Sequence, residues 1–336
     1  MKELDSRVFQ QKLLHHLALL LGEKSLVPIL CDLLHLNKSS VYNRLKGEKL
    51  LSLEELLLIA NQFGISLDAF LPSASEKATF RFKPLTTPVR NCREYLTEIV
   101  SNFKLFNDVP DLRVWFSTST LPFFHHLNFR ELALFKIFAY ARINWQLPYT
   151  ESLRFDPATF PERDMYESLM KPILEYYNRL STVEFWSDDL YDNTLRQIKY
   201  FANAGQLADN SIAEMLLEQL QTLCVHQYEM AKQGHKWAVG TRSHVSAKYS
   251  GTFDLYYNEI APLSITLLAE SQHLRGIFTV YDDPNFMFSA DEGLYGYTLK
   301  WMQKLKAKCV HISQDGEQNR RAYFNRLGDG LKSFSC

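Results

Sequence analysis

Net charge and paired cysteine are both scarce in this sequence of 336 residues. Its 37 basic and 38 acidic side chains leave a formal charge of −1. The chain as a whole therefore has no electrostatic pull toward nucleic acid or a membrane surface, which argues against a large DNA footprint but leaves room for a local one. The five cysteines (Cys31, Cys92, Cys224, Cys309 and Cys336) are odd in number, far apart and free of any CxxC pair. That spacing argues against a disulfide framework and a zinc site and reads as reduced thiols. No apolar run approaches the roughly 18–20 residues that span a bilayer. The N-terminus, MKELDSRVFQQ, is polar and lacks a signal-peptide core. The expectation is a cytoplasmic protein that does not engage membranes. Also missing are a Gly-rich phosphate loop ending in Lys-Ser/Thr, a GxSxG elbow and an HExxH pair. Neither an enzyme nor a cofactor is therefore expected. The rivals from other classes are a protein–protein adaptor that uses the Leu-rich head as a docking module and an enzyme with its active site dispersed along the sequence.

What is present divides into three parts. Residues 1–71 are Leu-rich and read as short helices. Residues 72–88, PSASEKATFRFKPLTTP, hold three prolines and little apolar periodicity, a linker composition. Residues 89–336 are aromatic-rich and mixed. In the first part, Leu13, Leu14, Leu17, Leu20 and Leu21 recur at helical spacing until Gly22. Ser25 is placed to cap a second helix to Leu34, with Val27, Leu30, Cys31 and Leu34 inward. A break at His35-Leu36-Asn37 follows. A third helix, "KSSVYNRL", ends before Gly47, where a left-handed C-cap is wanted. Ser52 and Glu55 form a capping box for a fourth. Ser66 caps a short last one.

The third helix shows only Val41 and Leu45 as strongly apolar residues, four apart and so on one face. Lys38, Ser39, Tyr42, Asn43, Arg44 and Lys46 are left for the others. Helix, three-residue break, helix is the helix-turn-helix arrangement, whose second helix enters the DNA major groove. On this reading Val41 and Leu45 dock the helix. Asn37, Lys38, Ser39, Tyr42 and Asn43 face the groove, and Lys46 and Lys49 reach phosphates. Residues 1–71 balance eight basic against eight acidic side chains, but residues 38–49 hold Lys38, Arg44, Lys46 and Lys49 against Glu48 alone. Positive charge is thus local to the groove face.

Residues 26–71, "LVPILCDLLHLNKSSVYNRLKGEKLLSLEELLLIANQFGISLDAFL", resemble the Cro/C1 (XRE) family of helix-turn-helix regulators, most of all its BetR-type branch. The resemblance covers about a fifth of the chain. It implies binding of double-stranded operator DNA as a homodimer. The sequence departs from the family at the turn, where His35 stands in place of the usual Gly. A residue with a Cβ adopts that backbone at a modest penalty.

The larger part is expected to sense a small-molecule effector or to supply the dimer interface. A helix follows Pro88, with Cys92, Leu96, Ile99, Phe103 and Phe106 on one face. A strand is placed at 112–118, and helices at 128–145, 164–180, 188–203 and 209–233. Strands follow at 253–257, 263–270, 275–281 and 309–312, with helices from a Ser289–Glu292 capping box to Lys308 and at 316–327. The expected fold class is an all-α helix-turn-helix domain joined to a larger α+β, mostly helical domain with its strands clustered late. Within it, Lys300, Lys304 and Lys308 line one helix face and Arg320 and Arg321 follow. They read as a solvated face or as an anion pocket. Asp282, Asp283, Asp291 and Glu292 read as a turn and a helix cap, with a divalent-cation site as the alternative. The paired histidines His15-His16 and His125-His126 diverge on a helix, so no metal site is expected there. Phe123, Phe124, Phe135, Phe138, Tyr140 and Trp145 read as core before ligand cage. The small polar stretch 239–251 reads as an exposed loop.

Overall fold

The computed structural model describes residues 5–70, 78–81, 91–107, 109–241, 251–259, 263–272 and 274–334. The chain forms two compact units, Met1–Phe80 and Arg81–Cys336. The expected fold class, an all-α head joined to a mostly helical α+β domain, is corrected. The protein is mixed α/β, built around a seven-stranded mixed sheet.

In the first unit, α1 (Ser6–Leu21), α2 (Glu23–Leu34), α3 (Lys38–Leu45) and α4 (Leu53–Phe63) are followed by a 3-10 turn, Leu67–Phe70. Leu13, Leu17, Leu30, Val41 and Ile59 are buried at its centre, each stabilising the fold by roughly 1.5–3 kcal/mol relative to exposure. The Ser52–Glu55 capping box is present on α4. Ser25 does not cap α2, which begins two residues earlier behind Gly22 at φ 79°. His35 closes α2 in the left-handed conformation, φ 52° and ψ 44°, and its N–H donates to the Cys31 carbonyl.

The second unit opens with α5 (Cys92–Asn107) and β1 (Arg113–Thr118). Next come α6 (Phe123–His126), α7 (Arg130–Ala139, continued by a π turn Tyr140–Asn144) and α8 (Lys171–Arg179, preceded by a π turn Tyr166–Met170). After them come β2 (Ser181–Trp186), α9 (Asp192–Asn203), α10 (Ser211–Gln233) and β3 (Phe253–Tyr257). The unit ends with β4 (Thr266–Glu270), β5 (Arg275–Asp282), β6 (Asn285–Ser289), α11 (Glu292–Lys308), β7 (Val310–His311) and α12 (Glu317–Ser333). The strand order is β6-β5-β4-β1-β2-β3-β7. β1, β2 and β3 are parallel, and every other pairing is antiparallel.

The overturned expectation has a physical cause. β2, "STVEFW", is a central strand buried on both faces. Such a strand shows no polar–apolar alternation, and Glu184 interrupts its apolar run. The segment of β6 sits between a turn pattern and a helix-cap pattern that hide its strand in the sequence. With both strands in place, the sheet spans the unit instead of gathering late. Gly251 lets β3 begin beside β2, because a Cβ there would lie 1.9 Å from the Leu180 carbonyl oxygen.

One sheet face carries Val114, Phe116 and Thr118 of β1 in register with Thr182, Glu184 and Trp186 of β2, then Phe253, Leu255 and Tyr257 of β3. Helices α5, α7, α8, α9, α10 and α12 pack over this face in the main core. The opposite face, with Trp115, Val183, Phe185 and Leu268, is covered by Tyr295, Met302 and Leu305 of α11. Arg81, inside the expected linker, pairs as an isolated bridge with Phe288 at the sheet edge. Residues 71–77 and 82–88 of that linker and 242–250 of the expected loop lie outside the described residues. Among the described residues no helix is long and apolar enough to cross a membrane.

Candidate functional site

The outer face of α3 is the first candidate. Asn37 is its N-cap, its side-chain oxygen accepting from the Ser40 N–H at 2.8 Å. This holds the first turn, so part of the hydrogen-bonding capacity assigned to Asn37 serves the helix itself. Lys38, Ser39, Tyr42, Asn43, Lys46 and Lys49 are all exposed, as the periodicity requires. Val41 is buried and Leu45 half-buried.

Arg44 does not join the outer face. It is 6% exposed. Its Nη2 donates to Glu55 Oε1 at 2.6 Å and its Nε to Glu55 Oε2 at 3.0 Å, a bidentate pair. Nη1 donates to the Ser40 carbonyl at 3.0 Å. Burial pushes the Glu55 carboxyl up, but the Arg44 and Ser52 hydrogen bonds and the charges of Arg44 and Lys49 outweigh it and hold the group low. Glu55 also accepts from the Ser52 N–H, so one carboxylate caps α4 and clamps α3. The exposed face expected to meet the groove therefore carries three lysines against Glu48. Spacing could have revealed this: Arg44 follows Val41 by three residues and so shares its face.

Gln10 is a second support that sequence reasoning missed. Buried on α1, its Nε2 donates to the Arg44 and Lys49 carbonyls at 2.8 and 2.9 Å. Its Oε1 accepts from the Leu51 N–H at 2.6 Å. These bonds fix the turn leaving α3, where Gly47 sits at φ 74°. No local pattern marks a glutamine whose partners lie more than thirty residues away.

In the second unit the expected basic set does not converge. Lys300, Lys304 and Lys308 are exposed on α11, which covers one sheet face, whereas α12 packs on the other. Arg320 is buried, its Nη1 donating to the Ile312 and Gln314 carbonyls at 3.2 and 2.8 Å. Arg321 pairs with Glu317 at 2.7 Å. Asp283 lies in the turn between β5 and β6, and Asp291 caps α11 by accepting from the Leu294 N–H. The N-cap is thus Asp291, not Ser289. Among the described residues no group of three or more His, Cys, Asp or Glu could hold a metal ion.

Two buried polar assemblies went unforeseen. At the first, Glu184 accepts from the Tyr177 hydroxyl at 2.6 Å, Thr182 at 2.9 Å and Trp186 Nε1 at 3.0 Å. Because Tyr177 gives its proton to Glu184, it accepts from His125 Nε2 at 3.0 Å. Lys236 Nζ donates to Thr182 at 3.3 Å and lies 4.0 Å from the Tyr177 ring centre. Burial lowers the Lys236 amine to about 7 against the opposing pull of Glu184. Burial likewise pushes Glu184 up, but His125, Lys236 and Tyr177 outweigh it and keep the carboxyl low.

The second assembly lies on α7. Lys136 Nζ donates to Gln197 Oε1 at 3.0 Å and sits 5.0 Å from the Tyr140 ring centre. The Tyr140 hydroxyl donates to Asp283 Oδ1 at 3.3 Å. Burial lowers the Lys136 amine to about 8, and the charge of Asp283 opposes the fall. Both assemblies border a cavity of about 150 Å³ between the sheet, α5 and α6. Phe123, Phe124 and Tyr140 line it, whereas Phe135 and Phe138 are plain core. No family model matches the chain, and comparison with curated proteins and with solved structures finds no match.

Proposed function

We propose that the protein is a cytoplasmic, sequence-specific DNA-binding transcriptional regulator that acts as a homodimer. Its first unit reads double-stranded DNA through α3, and its second unit senses a small-molecule effector. It acts by binding, not catalysis. One observation carries this reading. α3 is gripped from behind by Val41, the Arg44–Glu55 pair and Gln10, and it leaves Lys38, Ser39, Tyr42, Asn43 and Lys46 exposed together. Helix α2, a left-handed turn residue and α3 follow in the order a helix-turn-helix requires. Three exposed lysines per head imply few phosphate contacts, with log K falling against log salt by a slope of about −3 per head. Two heads on half-sites one helical turn apart supply the remaining affinity.

A second reading, the head as a protein-docking module, is favoured by Leu50, Leu53, Leu57 and Leu58, which are exposed around α4; Leu53 is 72% exposed. In the DNA reading these leucines serve the second copy. The test is fluorescence anisotropy of the full chain against a randomised operator pool at two salt concentrations, beside a Lys38→Ala/Lys46→Ala variant. Selection of a palindrome, lost in the variant, supports the regulator. Absence of selection, with variant and parent alike, moves the weight to docking.

A further inference from the structure

The cavity in the second unit is walled by Phe103, Phe123, Phe124, Phe278 and Phe286 and floored by Val114, Phe116 and Leu267 of the sheet. Its volume, about 150 Å³, matches that of an apolar protein cavity that takes up benzene. The polar groups on its wall are largely engaged with one another. Thr118 bonds to Thr120, and Tyr177 and Thr182 are held by Glu184. The exception in kind is the end formed by Lys136, Tyr140 and Asp283. Lys136 is 4% exposed. An ammonium has three N–H donors; Gln197 takes one, and the negative charge of Asp283 already balances the cation.

A net-charged guest would enter this apolar space without a counter-charge of its own, at a desolvation cost nothing there offsets. A guest without any polar atom would bury beside the ammonium a surface that offers it no acceptor. We propose that the cavity is a binding site for an uncharged, single-ring aromatic molecule bearing one oxygen-containing substituent. The ring lies among Phe103, Phe123 and Phe278, and the oxygen accepts from the Lys136 ammonium. This deepens the sensing role of the second unit and rests on that reading for its biological meaning. Binding itself is read without DNA, so its failure leaves the α3 interface untouched, and failure of DNA binding leaves the cavity untouched.

The test uses the full chain and three probes of one shape, followed by ¹⁹F NMR: 4-fluorobenzamide, 4-fluorobenzoate and 4-fluorotoluene. The amide should bind at least tenfold more tightly than the carboxylate and be displaced by unlabelled benzamide. Lys136→Met should weaken the amide at least tenfold and leave the toluene within about threefold. Methyl resonances of Ile99 and Ile265, both on the cavity wall, should shift with benzamide in the parent protein. That measurement stands even if the variant fails to fold. Carboxylate binding as tight as the amide, amide affinity unchanged in folded Lys136→Met, or silent Ile99 and Ile265 methyls at saturating benzamide would each overturn the proposal.

Discussion

Two short helices, α3 and α7, make opposite use of the same backbone. α3 has eight residues and buries Val41 and Arg44. α7 has ten and buries eight in a row, Leu132 through Ala139. A helix that commits two side chains to its own fold leaves its outer face free to recognise something. A helix covered on every side can meet a ligand only through a cavity beside it. Each also carries one buried cation, with opposite settlement. Arg44 has a bidentate carboxylate and two neighbouring elements to hold together. Among the described residues, Lys136 has a single neutral acceptor at hydrogen-bond distance and a carboxylate acting through charge, which opposes without cancelling the fall that burial imposes on its amine.

The contrast can be broken most severely at Arg44. Arg44→Ala leaves the half-buried Glu55 carboxylate with the charge of Lys49 alone in place of its bidentate partner and should cost the first unit about 3 kcal/mol. Hydrogen exchange of residues 37–46 should accelerate by about a hundredfold, with α7 amides unaffected. The interior of the second unit answers to pH instead. Lys236 and Lys136 are held at about 7 and about 8, below their ordinary 10.5. Between those values and 10.5 the unfolded chain binds more protons than the native one, so stability rises with pH. The Cys92 and Cys224 thiols, pushed up to about 12, act the other way above pH 9. From pH 7 to 9 the second unit should therefore gain on the order of 3 kcal/mol. Urea unfolding followed by tryptophan fluorescence reads this unit alone, since all five tryptophans lie in it; a flat or falling midpoint over that window would count against the two buried amines.

Smaller changes sharpen the picture of α3. Gln10→Ala orphans the Leu51 N–H and removes the side-chain donor from the Lys49 carbonyl, while the Arg44 carbonyl keeps the Gly47 N–H; it should cost about 2 kcal/mol of stability. Weaker DNA binding at unchanged sequence preference would place Gln10 as a support. Asn43→Ala should relax preference at one operator position by about 1–2 kcal/mol if it reads a base. Lys46→Ala should weaken binding to all sequences alike and reduce the salt slope by about one, seen by anisotropy across a salt series.

Local patterns made part of this legible. The Ser52–Glu55 box, the Gly47 turn, the exposure of Lys38, Tyr42, Asn43 and Lys46, and the strands at β1, β3, β4 and β5 all follow from neighbours within a few residues. β2 was illegible because burial on both faces erases alternation. Arg44 was misplaced by its charge although its spacing from Val41 pointed inward. Lys300, Lys304 and Lys308 lie on a helix over one sheet face and Arg320 and Arg321 on a helix over the other, because nearness in sequence says nothing about which face a helix covers.

By itself, the sequence determined the helix periods, the Ser52–Glu55 cap and the short polar helix with two apolar anchors, since each depends on residues one or two turns apart. Only the tertiary structure decided that β1, β2 and β3 run parallel and that Arg44 turns to Glu55. It alone placed Gln10 beneath the end of α3 and brought Lys136 and Asp283, distant in sequence, to one end of a cavity. Those pairings depend on which faces are buried together, and burial is a property of the whole packed chain.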